Sequence, residues 1–102
     1  MKELYTAAQI SKVIDQALIY QCACPAQVCR AIFELRELFA YQTNCAADPI
    51  NDRSVHETIA RATEQAHQLM EQCLNEVLRI EQWDPDTLDM PAELRKKPMH
   101  PI

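Results

Sequence analysis

The chain has 102 residues, of which 48% are hydrophobic and 25% are charged, as in a single globular domain rather than a disordered segment. It contains no glycine, which excludes the glycine-rich loops that bind nucleotide phosphates and disfavours β-hairpins. Its formal net charge of −5 makes nucleic acid an unfavourable partner, because an acidic body repels phosphate backbones.

The first predicted helix runs from Thr6 to Gln21. Thr6 and Gln9 match a capping box, in which each side chain bonds a free backbone N–H of the first turn. Apolar residues at steps of three and four predict a buried stripe, formed by Ala7, Ile10, Val13, Ile14, Ala17 and Leu18.

The second predicted helix runs from Pro25 to Thr43. Proline is favoured at a first helical position, so Cys24 lies near the helix start. The link between the two helices is short, which predicts that they form an antiparallel hairpin. The stripe expected to be buried in this second helix comprises Val28, Ala31, Ile32, Leu35, Leu38 and Phe39.

The third predicted helix runs from Ser54 to Trp83 and opens with a second capping box, Ser54 with Glu57. Its apolar residues recur at nearly heptad steps, which predicts coiled-coil-like packing against the hairpin. Two alanines within this row allow close helix approach. The row consists of Val55, Ile59, Ala62, Ala66, Leu69, Cys73, Val77 and Ile80.

The remaining residues, from Asp84 onward, hold four of the six prolines and predict only short helical turns, followed by a mobile tail at 98–102. We therefore predict an all-α fold with a single helical domain at 1–97. It is an antiparallel three-helix bundle, made of a short helical hairpin and one long helix, with a short C-terminal helical segment. A second copy would extend it to a dimeric helical bundle.

The third helix is longer than the hairpin, so its last third is expected to project as an apolar overhang. The residues of this overhang form the predicted partner interface: Leu74, Val77, Leu78, Ile80 and Trp83. Two covers are possible in principle. The C-terminal segment can fold back and lay Leu88, Met90 and Leu94 on the overhang, or a protein partner, favoured as a second copy, can bind there; the two are compatible.

The five cysteines are expected to be reduced, because no signal peptide or membrane-length apolar run is visible and the chain is predicted to be cytoplasmic. The favoured interpretation is that Cys29 and Cys73 pack in the core. The alternatives are redox sensing through Cys22 and Cys24, or a zinc or iron–sulfur site. That metal site would use Cys22, Cys24 and Cys29 together with Cys73 or His67.

Two constellations bear on catalysis. Cys24 with His67 resembles a nucleophile–base pair, but no orienting residue or oxyanion site accompanies it. Glu64 with His67 matches the Glu-x-x-His of di-iron helical bundles, but the predicted facing of Glu64 is toward solvent. We therefore expect no catalytic residues and no cofactor, and predict a non-enzymatic protein–protein interaction or adaptor module that acts as a dimer, with metal binding as the alternative.

Overall fold

The computed structural model describes residues 1–19, 23–46 and 52–95. They form α1 (Ala7–Ile19), α2 (Cys24–Ala46), α3 (Arg53–Ile80) and a short α4 (Ala92–Arg95), with no strand within these ranges. The hairpin of α1 and α2 packs together, and α3 packs along α2. This confirms the predicted all-α three-helix bundle, while the predicted tail at 98–102 lies outside the described residues.

Local capping chemistry sets where the helices begin. The Thr6 N–H donates to Gln9 Oε1 at 2.8 Å and the Gln9 N–H donates to Thr6 Oγ1 at 3.1 Å, which confirms the first capping box. The second predicted box is wrong, because α3 is capped by Asp52. Its Oδ1 accepts the N–H groups of Ser54 at 3.0 Å and Val55 at 3.3 Å, which satisfies free donors of the first turn.

The end of α3 is a Schellman turn built without glycine. The Trp83 N–H donates to the Leu78 carbonyl at 2.9 Å and the Gln82 N–H to the Arg79 carbonyl at 3.1 Å, the bond pattern of that motif. Gln82 adopts the left-handed conformation, with φ of 64°. The helix thus ends three residues before the predicted Trp83, and the turn carries the indole back toward the bundle.

The chain after the turn folds back onto α1. Gln16 accepts the Met90 N–H at 2.6 Å and donates to Asp89 Oδ1 at 3.1 Å, and Lys12 donates to the Thr87 carbonyl at 2.6 Å. Leu88 and Met90 are consequently buried. The fold-back predicted as one cover for the overhang is therefore present.

The hydrophobic core lies where α1, the first half of α2, the last third of α3 and the folded-back segment meet. Its buried members are Tyr5, Ile10, Val13, Ala17, Ala26, Cys29, Ile32, Leu74, Leu78, Trp83, Leu88 and Met90. The predicted stripes of the hairpin are right in their centres and wrong at their edges, since Leu18 and Leu38 are 40% and 39% exposed. None of the helices in the described ranges has the length and apolarity to cross a membrane.

Candidate functional site

Arg36 on α2 and His67 and Glu71 on α3 form a buried polar cluster. His67 is 1% exposed and Glu71 is 4% exposed. The Arg36 guanidinium bridges them, since Nε donates to His67 Nε2 at 2.9 Å and Nη2 donates to Glu71 Oε2 at 3.1 Å. A charge pair in this setting is stable only when its hydrogen-bonding groups are satisfied.

The N-terminal segment supplies the remaining partners of this cluster. The N–H groups of Leu4 and Tyr5 donate to Glu71 Oε2 at 2.7 Å and 3.1 Å. Arg36 Nη2 donates in turn to the Tyr5 carbonyl at 2.6 Å, and the Tyr5 hydroxyl donates to Asn75 Oδ1 at 3.1 Å. The cluster therefore fastens the first residues of the chain across α2 and α3.

The contact with Arg36 determines the protonation of His67. A guanidinium has only donors, so the imidazole Nε2 must accept and carry no proton. Nδ1 lies 3.6 Å from Glu71 Oε1 and carries the proton of the neutral ring. Burial lowers the pKa of His67, and the nearby Arg36 cation lowers it further. The Glu71 carboxylate raises this pKa and so offsets part of the shift. Both ring nitrogens thus face groups of the fold itself.

The described residues do not assemble the predicted metal set. Cys29 is fully buried in the core, and burial raises the pKa of its thiol to about 12. Cys24 and Cys73 are exposed, and His67 is engaged by Arg36. No group of three or more His, Cys, Asp or Glu among the described residues is placed to hold a metal ion. Cys22 lies outside those residues, so a site that includes it stays a prediction.

These placements also bear on the two catalytic patterns. His67 pairs with Glu71 rather than Glu64, which is exposed as predicted. Every buried side-chain nitrogen and oxygen in the described residues has a hydrogen-bond partner. A fully satisfied buried network is typical of a structural role, in which the polar groups specify one packing of the helices.

The predicted overhang interface requires correction. Leu74, Leu78 and Trp83 are 0%, 5% and 4% exposed, and they lie in one core cluster with Leu88 and Met90 of the folded-back segment. They belong to the core and present no surface to a partner in this conformation. Of the five residues predicted there, only Ile80 is exposed, at 67%, and Val77 is half-buried.

The apolar row of α3 is the part of the helix that stays on the surface. Leu69 and Ile80 are 65% and 67% exposed, and Val55 and Ile59 are 48% and 36% exposed. Ala62 and Cys73 are exposed too, with Ala66 and Val77 half-buried. The prediction that this row forms the core is therefore wrong. The buried residues of α3 are Ala60, Thr63, His67, Glu71, Leu74 and Leu78, centred roughly 120° around the helix from the row at 100° per residue.

The row faces away from the N-terminal segment. Leu69 and Cys73 each lie two residues from Glu71, which places them about 160° around α3 from the carboxylate that binds that segment. On α2, Leu38 likewise lies two residues from Arg36 and therefore about 160° around the helix from it. Arg36 contacts His67, and Gln42 contacts His56 at 2.6 Å, so Leu38 lies level with Ala62. The row and Leu38 together form what we call the exposed face.

Sequence reasoning missed the cluster because its two members on α3, His67 and Glu71, are polar residues on a helix whose other side is more apolar. One signal was present: Thr63, His67, Glu71, Leu74 and Leu78 also recur at steps of three and four. That second periodic row ends in two leucines, and it is the one that the fold buries.

No family model, curated protein or solved structure matches this chain.

Proposed function

We propose that this chain is a non-enzymatic interaction module that binds an amphipathic helix of a protein partner, or of a second copy, through the exposed face. The observation that supports the proposal is the exposure of Leu69 and Ile80, each about two-thirds accessible, in a row of heptad-like spacing. Such a row is the seam along which one helix packs into another.

Energetics favour a partner over an isolated surface. Fully burying a leucine, isoleucine or valine side chain is worth about 1.5–3 kcal/mol. Monomeric proteins seldom expose a contiguous apolar patch of several hundred Å² unless it binds something. The exposed face contains four large aliphatic side chains of α3 and Leu38 of α2, enough to drive helix binding.

The buried polar cluster supports the same proposal from the other side of the molecule. It holds α3 by His67 and Glu71 and so fixes which face of the helix remains accessible. Its groups are satisfied by one another rather than aimed into an open site, which favours scaffolding over catalysis. The proposal includes a cytoplasmic location, where the exposed Cys73 remains a thiol.

The test is a binding titration with the full chain. A fluorescently labelled amphipathic peptide of four leucine-based heptads is held at nanomolar concentration, and its anisotropy is measured as protein is added. We expect saturable binding that Leu69→Glu weakens at least about tenfold, because a carboxylate would be buried in the contact. Leu18→Glu is the matched control, since it places the same charge at an exposed leucine of α1.

If the protein is monomeric in the titration, absence of saturable binding at protein concentrations up to about 100 μM would overturn the proposal, given that helix-in-groove recognition is commonly much tighter than this. Equal loss of binding in Leu69→Glu and Leu18→Glu would overturn it as well, because the peptide would then respond to net charge rather than to the exposed face. Circular dichroism establishes that both variants remain folded.

A further inference from the structure

We propose that the exposed face pairs with the same face of a second copy, with the two α3 helices antiparallel about a twofold axis. This rests on the proposed function, because it names the partner of the same surface. The twofold dimer is the commonest closed assembly, and its interface must be complementary to itself. The exposed face meets that requirement in side-chain size, charge and area.

Between Val55 and Cys73, the row of α3 has the same order of side-chain sizes in both directions. From Val55 to Cys73 its members are spaced by four, three, four, three and four residues, so the row is symmetric about position 64. Antiparallel pairing about that point places a medium side chain against a small one at each end of the overlap. Next to these it places two large side chains against each other, and at the centre two small ones. The pairs are Val55 with Cys73, Ile59 with Leu69, and Ala62 with Ala66 of the second copy.

This arrangement satisfies the packing rules for two antiparallel helices. The two alanines at the centre let the backbones approach closely, and the larger pairs then fill the space on either side, as knobs-into-holes packing requires. Leu38 of α2 lies level with Ala62 and widens the contact beyond α3. The two α2–α3 layers would stack as a four-helix bundle.

Charge also favours this pairing, although the chain as a whole is acidic at −5. Between Val55 and Cys73, the positions that border the row on its open side are Thr58, Gln65 and Gln72, which carry no charge. Glu57 and Glu64 lie about 160–180° around the helix from the centre of the row. Within the overlap from Val55 to Cys73, two copies can therefore approach without carboxylates facing each other across the seam.

A parallel pairing is less favourable. After Cys73 the next position of the strict heptad is Glu76, which a parallel dimer would set against Glu76 of the second copy. Like charges at such a position destabilise the contact. In the antiparallel pairing Glu76 is instead level with Asp52 of the second copy, beyond the last apolar pair, where solvent screens the two carboxylates.

The area of the exposed face suits a stable dimer. The overlap from Val55 to Cys73 has 19 residues and is thus about 28 Å long at 1.5 Å per residue. Two neighbouring helices present a width of about 20 Å. The resulting surface is on the order of 600 Å² per copy, at the lower end of the range that standard specific interfaces bury on each side.

The first measurement is the native mass by light scattering after size exclusion, at chain concentrations of about 1 to 100 μM. We expect twice the chain mass for the unmodified protein and for Leu18→Glu. We expect Leu69→Glu to raise the dissociation constant at least about a hundredfold and to run as a monomer, because the substitution places two carboxylates in the interface.

The second measurement tests the orientation by thiol cross-linking with a short bismaleimide. Cys22, Cys24 and Cys45 are replaced by serine, and the buried Cys29 is kept. Antiparallel pairing predicts that Val55→Cys together with native Cys73 cross-links into a covalent dimer, while Cys73 alone does not. Within one chain the two positions are about 27 Å apart on a helix, too far for the reagent to link them.

The outcomes separate this inference from the proposed function. A protein that is monomeric at 100 μM overturns the pairing of two copies; the proposed function then stands if the heptad peptide still binds in a Leu69-dependent way, and falls if it does not. A dimer that survives Leu69→Glu uses another surface and overturns the pairing. Cross-linking through Cys73 alone overturns the antiparallel orientation.

Discussion

Arg36 on α2 donates a hydrogen bond of 2.9 Å to Nε2 of His67 on α3, so a buried neutral imidazole holds a permanent cation. The same guanidinium pairs with Glu71, and that carboxylate accepts two backbone N–H groups of the N-terminal segment. These few bonds connect three parts of the chain that are far apart in sequence. They set the rotation of α3 and leave its more apolar row on the outside.

The first prediction concerns the carboxylate of this cluster. Glu71→Ala should lower the free energy of unfolding by about 3 kcal/mol, because it leaves the Arg36 cation without its buried partner and orphans two backbone donors. Glu64→Ala, two turns earlier at an exposed position, should change the free energy of unfolding by less than about 0.5 kcal/mol. Urea denaturation at pH 7 measures both, and equal effects would show that the cluster does not stabilise the fold.

The second prediction concerns the pH dependence of stability. The pKa of His67 is below its ordinary value of 6.5 in the folded protein, so the unfolded chain binds this proton more tightly. The contribution of the neutral ring is therefore complete above about pH 6.5 and is lost as the pH falls toward the folded pKa. The charged groups that act on the ring are Arg36, Glu71, Glu3 and the terminal amine.

The check is a comparison of unfolding free energies at pH 7.5 and pH 5 for the unmodified chain and for His67→Gln, whose amide oxygen can still accept from Arg36. The decrease on acidification should be smaller in the variant, since it has no proton to bind at this position. If both proteins lose the same free energy over this interval, His67 does not titrate with a lowered pKa.

The third prediction tests which side of α3 is buried. Leu74→Ala should lower the free energy of unfolding by about 2–5 kcal/mol, because Leu74 is fully buried and its loss leaves a cavity. Leu69→Ala should change it by about 0.5 kcal/mol or less when measured at submicromolar protein, where self-association does not contribute. The reverse order would mean that the apolar row is the true core face.

The fourth prediction uses the left-handed residue at the end of α3. Gln82→Gly should raise the free energy of unfolding by about 0.5–1 kcal/mol, because glycine adopts a φ of 64° without the steric cost of a Cβ. In the middle of α3 the same type of change, Gln68→Gly, should lower the free energy of unfolding by about 1 kcal/mol. Thermal denaturation of the two variants gives opposite shifts if the Schellman turn is correct.

Local chemistry was enough to predict the helices from the sequence. The capping box of Thr6 and Gln9 and the break before Pro25 each depend on groups a few residues apart, so the order of elements and the three-helix bundle followed directly. The fold-back of Leu88 and Met90 was also within reach, because an apolar overhang needs a cover.

The burial of one side of α3 was decided only by the tertiary structure. On a helical wheel, Val55, Ile59 and Leu69 lie on the most apolar side of α3, and that side is therefore predicted to be buried. His67 and Glu71 are inside instead, because Arg36 arrives from α2 and the Leu4 N–H arrives from 67 residues away in sequence. A polar group can be buried when its hydrogen bonds are met, and whether they are met depends on the neighbouring segments that pack against the helix.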